Sequence, residues 1–201
     1  MKVFIIHCGN APRKEKMIKE LEKHNITDYE FFGSIKHGSH YTLDELLEIS
    51  GKEGLLFEPR KATKDINVFK NNISCGLNHY YAWCQALKEG LDKFIVMEDD
   101  IEILGNLDIE IPSDCNVFYY YSMYNQNKLE EGMNLANKRI LGVNCYQIIN
   151  PKKVIEEVRK NSKTDAIDCM MGFCKCLKDR KYFIYPYLVD TDMSKNKSLV
   201  R

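Results

Sequence analysis

Glu98, Asp99 and Asp100 are three consecutive carboxylates, and they follow directly on four apolar residues, Phe94 to Met97. Adjacent acids repel one another unless positive charge lies close, and a divalent cation held by hard oxygen ligands is the simplest source of it. Side chains alternate along an extended chain, so Glu98 and Asp100 are expected on one side and Asp99 on the other. Two carboxylates on one side can share a metal while the third faces a sugar or solvent. Three solvated acids at a strand end would read the same way, so the surroundings must decide between the two.

A short apolar run bounded by polar residues reads as a strand buried on both faces. The acids then stand at its C-terminal end, the rim where open α/β sheets bind ligands. The segment feeding that strand runs from Cys75 to Glu89 and reads as a helix. Asn71, Asn72 and Ser74 are good capping types ahead of it, and Gly90 is its stop. At the N-terminus, Lys2 to Cys8 reads as a strand and Arg13 to His24 as a helix with Pro12 in its first turn. Tyr29 to Phe32 is a second strand, closed by Gly33. Such a β-α-β opening predicts parallel strands with a right-handed crossover.

Residues 34–73 are less regular. Thr42-Leu43-Asp44-Glu45 fits a capping box and predicts a short helix from Leu43 to Ser50. Residues 51–69 read as a loop or insertion of the kind that closes over substrate. Further on, residues 116–121 and 139–149 read as extended and 122–138 as loop. Asn150-Pro151 starts a helix, Thr164 and Asp165 cap another through Leu177, Tyr182 to Tyr185 is a late strand, and the tail from Asp190 is polar. The expectation is α/β: one domain over residues 1–201, a mainly parallel twisted sheet flanked by helices.

Composition narrows the classes. Lys and Arg number 29 against 29 for Asp and Glu, so no global field attracts nucleic acid or anionic membrane. No run approaches the length of a membrane span, and the first residues show no signal-peptide pattern. The eight cysteines are scattered through apolar segments with no Cys-x-x-Cys pair, which argues for buried free thiols rather than zinc or disulfides. A cytoplasmic protein is expected.

Several segments, in order, resemble glycosyltransferase family 25, the group of lipooligosaccharide and collagen galactosyltransferases. They are Val3-Phe4-Ile5-Ile6-His7 with Pro12-Arg13, Tyr29-Glu30-Phe31-Phe32-Gly33 with Gly38, and Cys75-Gly76-Leu77-Asn78-His79-Tyr80-Tyr81-Ala82-Trp83. Phe94 to Asp100, Asn144 to Ile149, Ile167-Asp168 and Pro186 to Val189 continue the series. The resemblance implies a GT-A-like fold, a UDP-sugar donor, Mn²⁺ or Mg²⁺, and inverting transfer of galactose or glucose to a glycan or hydroxylated acceptor, as in lipopolysaccharide biosynthesis. Asn72 and Ser74 stand where the family has an acidic residue and Gly, and Asn78 where it has Ser. Those departures keep open an inactive module that binds a nucleotide-sugar or glycan. Metal-dependent phosphoryl transfer or hydrolysis by the same carboxylates is the third reading.

In the transferase reading, Glu98 and Asp100 hold the cation and Asp99 meets ribose or sugar. Asp168 is the base that takes the acceptor's proton; its alternative is an acid favoured by a helix N-terminus, beside Asp165. His79 touches donor phosphate or orients a carboxylate, unless it is a satisfied core histidine. Arg13 meets the nucleotide or its phosphates, unless it is an exposed first-turn cation. Asp190 or Asp192 would complete the metal shell or belong to a solvated tail. Tyr119 to Tyr121 read as core and sheet face, with stacking of one ring on a uracil or a sugar as the alternative.

Overall fold

Four apolar residues, Val3–Ile6, form strand β1 and are buried throughout. They are covered because β1 lies between two parallel neighbours, β2 (Tyr29–Phe32) and β3 (Lys93–Glu98). Helices close both faces of this trio. Phe4, Ile6, Phe94 and Val96 join the cluster containing Leu77 and Trp83 of helix α3, while Val3, Ile5, Ile95 and Met97 join Met17 and Leu21 of helix α1. Burial on both faces is why β1 and β3 read as continuous apolar runs rather than alternating ones. The computed structural model describes residues 1–7, 9–59, 63–121, 132–135, 144–161, 164, 166, 171, 181–185 and 187–191.

The remaining strands are β4 (Ile101–Ile103), β5 (Val117–Tyr119), β6 (Gly132–Leu135), β7 (Cys145–Ile149), β8 (Lys181–Tyr185) and β9 (Val189–Thr191). The main sheet runs β2-β1-β3-β7-β5-β8-β6. It is parallel across β2-β1-β3 and at β5-β8, as the opening pattern predicts, but β7 runs antiparallel to both β3 and β5, and β6 antiparallel to β8. The domain is therefore α/β with a mixed sheet. A buried apolar strand has the same sequence whichever way its neighbour runs, which is why Cys145–Ile149 did not disclose its direction. Strand β6 also falls inside the 122–138 stretch read as loop. A separate ribbon pairs β4 with β9, so the chain just after the acids is bound to its late segment, with Glu102 opposite Asp190.

Helix α1 (Ala11–Lys23) starts where expected: the Asn10 side chain accepts the Arg13 N–H at 3.2 Å and Pro12 occupies the first turn. Helix α2 (Leu43–Lys52) carries the complete capping box, Thr42 and Glu45 bonding one another's backbone N–H. Helix α4 (Pro151–Asn161) opens on Asn150, whose side chain accepts the Lys153 N–H.

Helix α3 (Ile66–Lys88) differs from expectation by starting well ahead of Cys75. Asp65 is its cap, accepting the Asn67 N–H at 2.8 Å, so Asn71, Asn72 and Ser74 lie inside the helix. Ser74 remains compatible with that place because its hydroxyl donates back to the Asn71 carbonyl. The other end is as predicted: Gly90 has φ +71°, Leu91 N–H bonds the Ala86 carbonyl and Gly90 N–H that of Leu87, the Schellman pattern.

Asn78, fully buried on α3, accepts the Ile35 N–H and donates to the Ile35 carbonyl, both at 2.8 Å. It satisfies a loop strand that has no ladder of its own. Asn78→Ala is expected to cost about 2–4 kcal/mol, since two buried backbone groups lose their partners at about 1–3 kcal/mol each. Urea unfolding measures this, and a loss under about 1 kcal/mol would mean that water replaces the amide.

Close backbone approach fixes two glycines. A Cβ at Gly38, in the 3-10 turn Gly38–His40, would run into the Lys70 and Asn71 backbone of α3; one at Gly33 would fall on the His7 carbonyl oxygen.

Candidate active site

Alternation along β3 sends Glu98 towards α3, the face of Phe94 and Val96, and Asp99 towards α1. Past Glu98 the chain turns at residues 99–100, and the alternation expected of Asp100 stops there. The result is a corner with two sides.

On the α1 side Asp99 is 6% exposed. His7 Nδ1 lies 2.7 Å from its Oδ2, and Arg13 donates to its Oδ1 at 3.4 Å. The same Arg13 nitrogen reaches Asp100 Oδ2 at 3.2 Å. Arg13 thus leaves the first turn of α1 and lies across two carboxylates, with its side chain mostly buried. It is not a solvated helix-end cation. The sequence places His7 only within the first strand; its position one residue beyond β1, in register with the acid turn, is what brings it to Asp99.

Asp100 is the strained member. Its Oδ1 is buried and without a hydrogen-bond partner. Burial first, and then the neighbouring Glu98 charge, push its carboxyl up to about 6, although Arg13 pulls the other way. One oxygen shares the Arg13 guanidinium with Asp99, and the other has no hydrogen-bond partner.

On the α3 side Glu98 is held twice by Asn144, whose carbonyl accepts the Glu98 N–H at 2.7 Å and whose side chain donates to Oε2 at 3.2 Å. Its Oε1 lies 3.4 Å from His79 Nε2 and 3.9 Å from Cys75 Sγ. His79 is fully buried, its ring stacked on Tyr146 and its Nδ1 2.7 Å from the Tyr146 hydroxyl, which also accepts the Trp83 indole N–H at 2.9 Å. Burial holds the Tyr146 phenol far above its ordinary range, so it remains a neutral hydroxyl. His79 is therefore both a core side chain and a neighbour of Glu98.

The structure brings Arg13, His79, Glu98, Asp99 and Asp100 to one corner. Asp168, Asp165 and Asp192 lie outside the described residues. Asp190 is exposed in β9. Tyr119 and Tyr120 are core, the latter's hydroxyl 2.9 Å from both the Leu107 carbonyl and Gln147 Oε1. Cys75 and Asn144 carried no single-residue signal, although Cys75 and His79 stand one helical turn apart.

A family model described as "Glycosyltransferase family 25 (LPS biosynthesis protein)" matches residues 1–171, from β1 through the acid turn and α4. The chain belongs to glycosyltransferase family 25. No curated protein matches it. Among solved structures, A197 from STIV overlaps 91% of this family 25 chain and 80% of its own, at 15% identity and a TM-score of 0.45. A glycosyltransferase involved in glycosylation of the major capsid of PBCV-1 overlaps 92% of each chain, at 6% identity and a TM-score of 0.36. Overlaps that loose leave the family match as the identifying observation. Among the described residues of the family 25 chain, no helix is long and apolar enough to cross a membrane.

Proposed function

We propose that this chain is a metal-dependent inverting transferase that moves galactose or glucose from a UDP-sugar to a hydroxyl of a glycan or hydroxylated acceptor, in the cytoplasm. The observation that carries the reading is Asp100: a mostly buried carboxyl raised to about 6, with one oxygen lacking a hydrogen-bond partner and Glu98 close by. A carboxylate in that state gains from a cation, and its free Oδ1 fits Mn²⁺ or Mg²⁺ as a hard oxygen ligand. Asp100 and Glu98 would hold the ion. When bound, it would neutralise the charge that develops on a departing diphosphate.

The chain's own groups supply the rest. Arg13 lies across Asp99 and Asp100 and presents its guanidinium at the rim, where a phosphate oxygen can share it. Asp99, steadied by His7 and Arg13, keeps acceptor lone pairs for a ribose or sugar hydroxyl. Asp168 is our choice for the base that removes the acceptor proton.

Incubation with Mn²⁺ and a panel of UDP-sugars tests the proposal. Release of UDP from UDP-galactose or UDP-glucose, abolished by chelator, is expected. Turnover of phosphate esters with none of any nucleotide-sugar would overturn it. Asp168→Asn is expected to preserve UDP binding and lower transfer by about 10²-fold or more, the usual contribution of a general base. Equal losses of binding and rate would make Asp168 a structural acid.

A further inference from the structure

Cys75, His79 and Glu98 converge on one point. Their ligand atoms, Sγ, Nε2 and Oε1, all lie within 4.8 Å of one another. The two helical residues are four apart on α3, so they share a face one turn from each other, and that face meets the end of β3. In a tetrahedral zinc site with Zn–S of about 2.3 Å and Zn–N and Zn–O of about 2.0–2.1 Å, ligand atoms sit about 3.3 Å (N to O) and about 3.6 Å (S to O) apart. The observed separations are 3.4 Å for His79 Nε2 to Glu98 Oε1 and 3.9 Å for Cys75 Sγ to the same oxygen. Those two pairs need only a few tenths of an ångström of adjustment, and the Sγ–Nε2 pair, within 4.8 Å, closes the triangle.

A second observation points to a ligand independently. His79 Nε2 is buried and has no hydrogen-bond partner; Glu98 is near it but outside hydrogen-bond geometry. The ring is not adrift, because its Nδ1 is fixed on the Tyr146 hydroxyl, which Trp83 fixes in turn. Metal-ligating histidines characteristically donate their other ring N–H to an oxygen in this manner, which sets the tautomer and aims the lone pair. With Nδ1–H on Tyr146, the Nε2 lone pair is directed at Cys75 and Glu98. Asn144 performs the same service for Glu98 by holding Oε2 and leaving Oε1 turned inward.

We propose that Cys75, His79 and Glu98 form a three-ligand site for a borderline divalent cation, Zn²⁺ first, with the fourth position open towards the rim. Thiolate and imidazole select Zn²⁺ or Co²⁺ over the hard Mn²⁺ and Mg²⁺ that a carboxylate pair prefers. The site is distinct from the one at Asp100 Oδ1, and the two share Glu98. The inference stands on these ligand atoms and does not rest on the transferase reading. Where both hold, Zn²⁺ withdraws Glu98 from the hard cation and antagonises Mn²⁺-dependent UDP binding.

The test uses the full chain stripped of metal and titrated with Co²⁺. We expect one equivalent to bind with a near-ultraviolet thiolate-to-cobalt charge-transfer band, and Zn²⁺ to bleach it. Cys75→Ser should lose the band while keeping the far-ultraviolet circular dichroism and melting temperature of the parent chain. Tyr146→Phe, which removes the outer hydrogen bond, should weaken cobalt affinity about 10–100-fold. Asp100→Asn should retain the band while losing Mn²⁺-dependent UDP binding, so the two readings fail separately. Absence of a charge-transfer band in the parent chain, or its persistence in Cys75→Ser, would overturn the site.

Discussion

Asp100→Asn is expected to abolish Mn²⁺-dependent binding of UDP and, in the metal-free protein, to raise the melting temperature. The sign follows from the carboxyl's folded-state shift. Its value rises from 3.8 to about 6, chiefly through burial, so the folded state holds its proton more tightly than the unfolded one. The resulting destabilisation is absent below about pH 4, grows as pH rises through the interval between the two values, and is complete above about pH 6. Roughly two pH units correspond to something of the order of 2–3 kcal/mol near neutrality, or roughly 5–10 °C for a chain of this size. Asparagine removes the charge, keeps the shape and still offers an oxygen to Arg13. Thermal melts near pH 7 and near pH 4, read beside Mn²⁺ and UDP titrations, check both halves. A lower melting temperature together with unchanged Mn²⁺ affinity would remove Asp100 from the proposed cation site.

Trp83→Ala should carry a large stability loss. The indole is fully buried, packs edge-on against Tyr80 and Tyr146, and donates its N–H to the Tyr146 hydroxyl. Truncation is expected to cost about 3–5 kcal/mol, the range for a buried aromatic replaced by alanine. Trp83→Phe separates the terms: it keeps most of the packing and loses the hydrogen bond, at about 1–2 kcal/mol. Urea unfolding of the two variants measures the difference. A near-neutral Trp83→Ala would contradict the burial. Because Trp83 steadies Tyr146, and Tyr146 steadies His79, the loss also reaches the Glu98 side of the corner.

Much of this was legible before the fold was seen. The acid triplet at a strand end, Pro12 in a first turn, the Asn150 cap, the Thr42-Glu45 box and the Gly90 stop are local features, each set by a few neighbouring residues, and local chemistry survives folding. What was hidden depends on partners distant in the chain. The start of α3 was misplaced because Asn71, Asn72 and Ser74 are capping types that tertiary contacts hold inside a helix. Arg13 and His7 meet Asp99 across 86 and 92 positions, and no periodicity encodes that meeting. The meeting of Cys75 and His79 with Glu98 was hidden for the same reason: the two share a face one helical turn apart, but their third neighbour stands at the end of a strand. The direction of β7 was likewise invisible, since burial on both faces erases the pattern that would reveal it.

Gly33 contributes no functional group, yet it stands directly under the His7 carbonyl. Any side chain placed there would lift the end of the first strand and with it the imidazole that steadies Asp99. A random-mutagenesis screen for lost activity would therefore score Gly33 alongside the acids. Such a variant could be told apart from a chemical lesion by compensation, since a second change that lets the strand end settle back should restore the enzyme, whereas none should rescue a missing carboxylate.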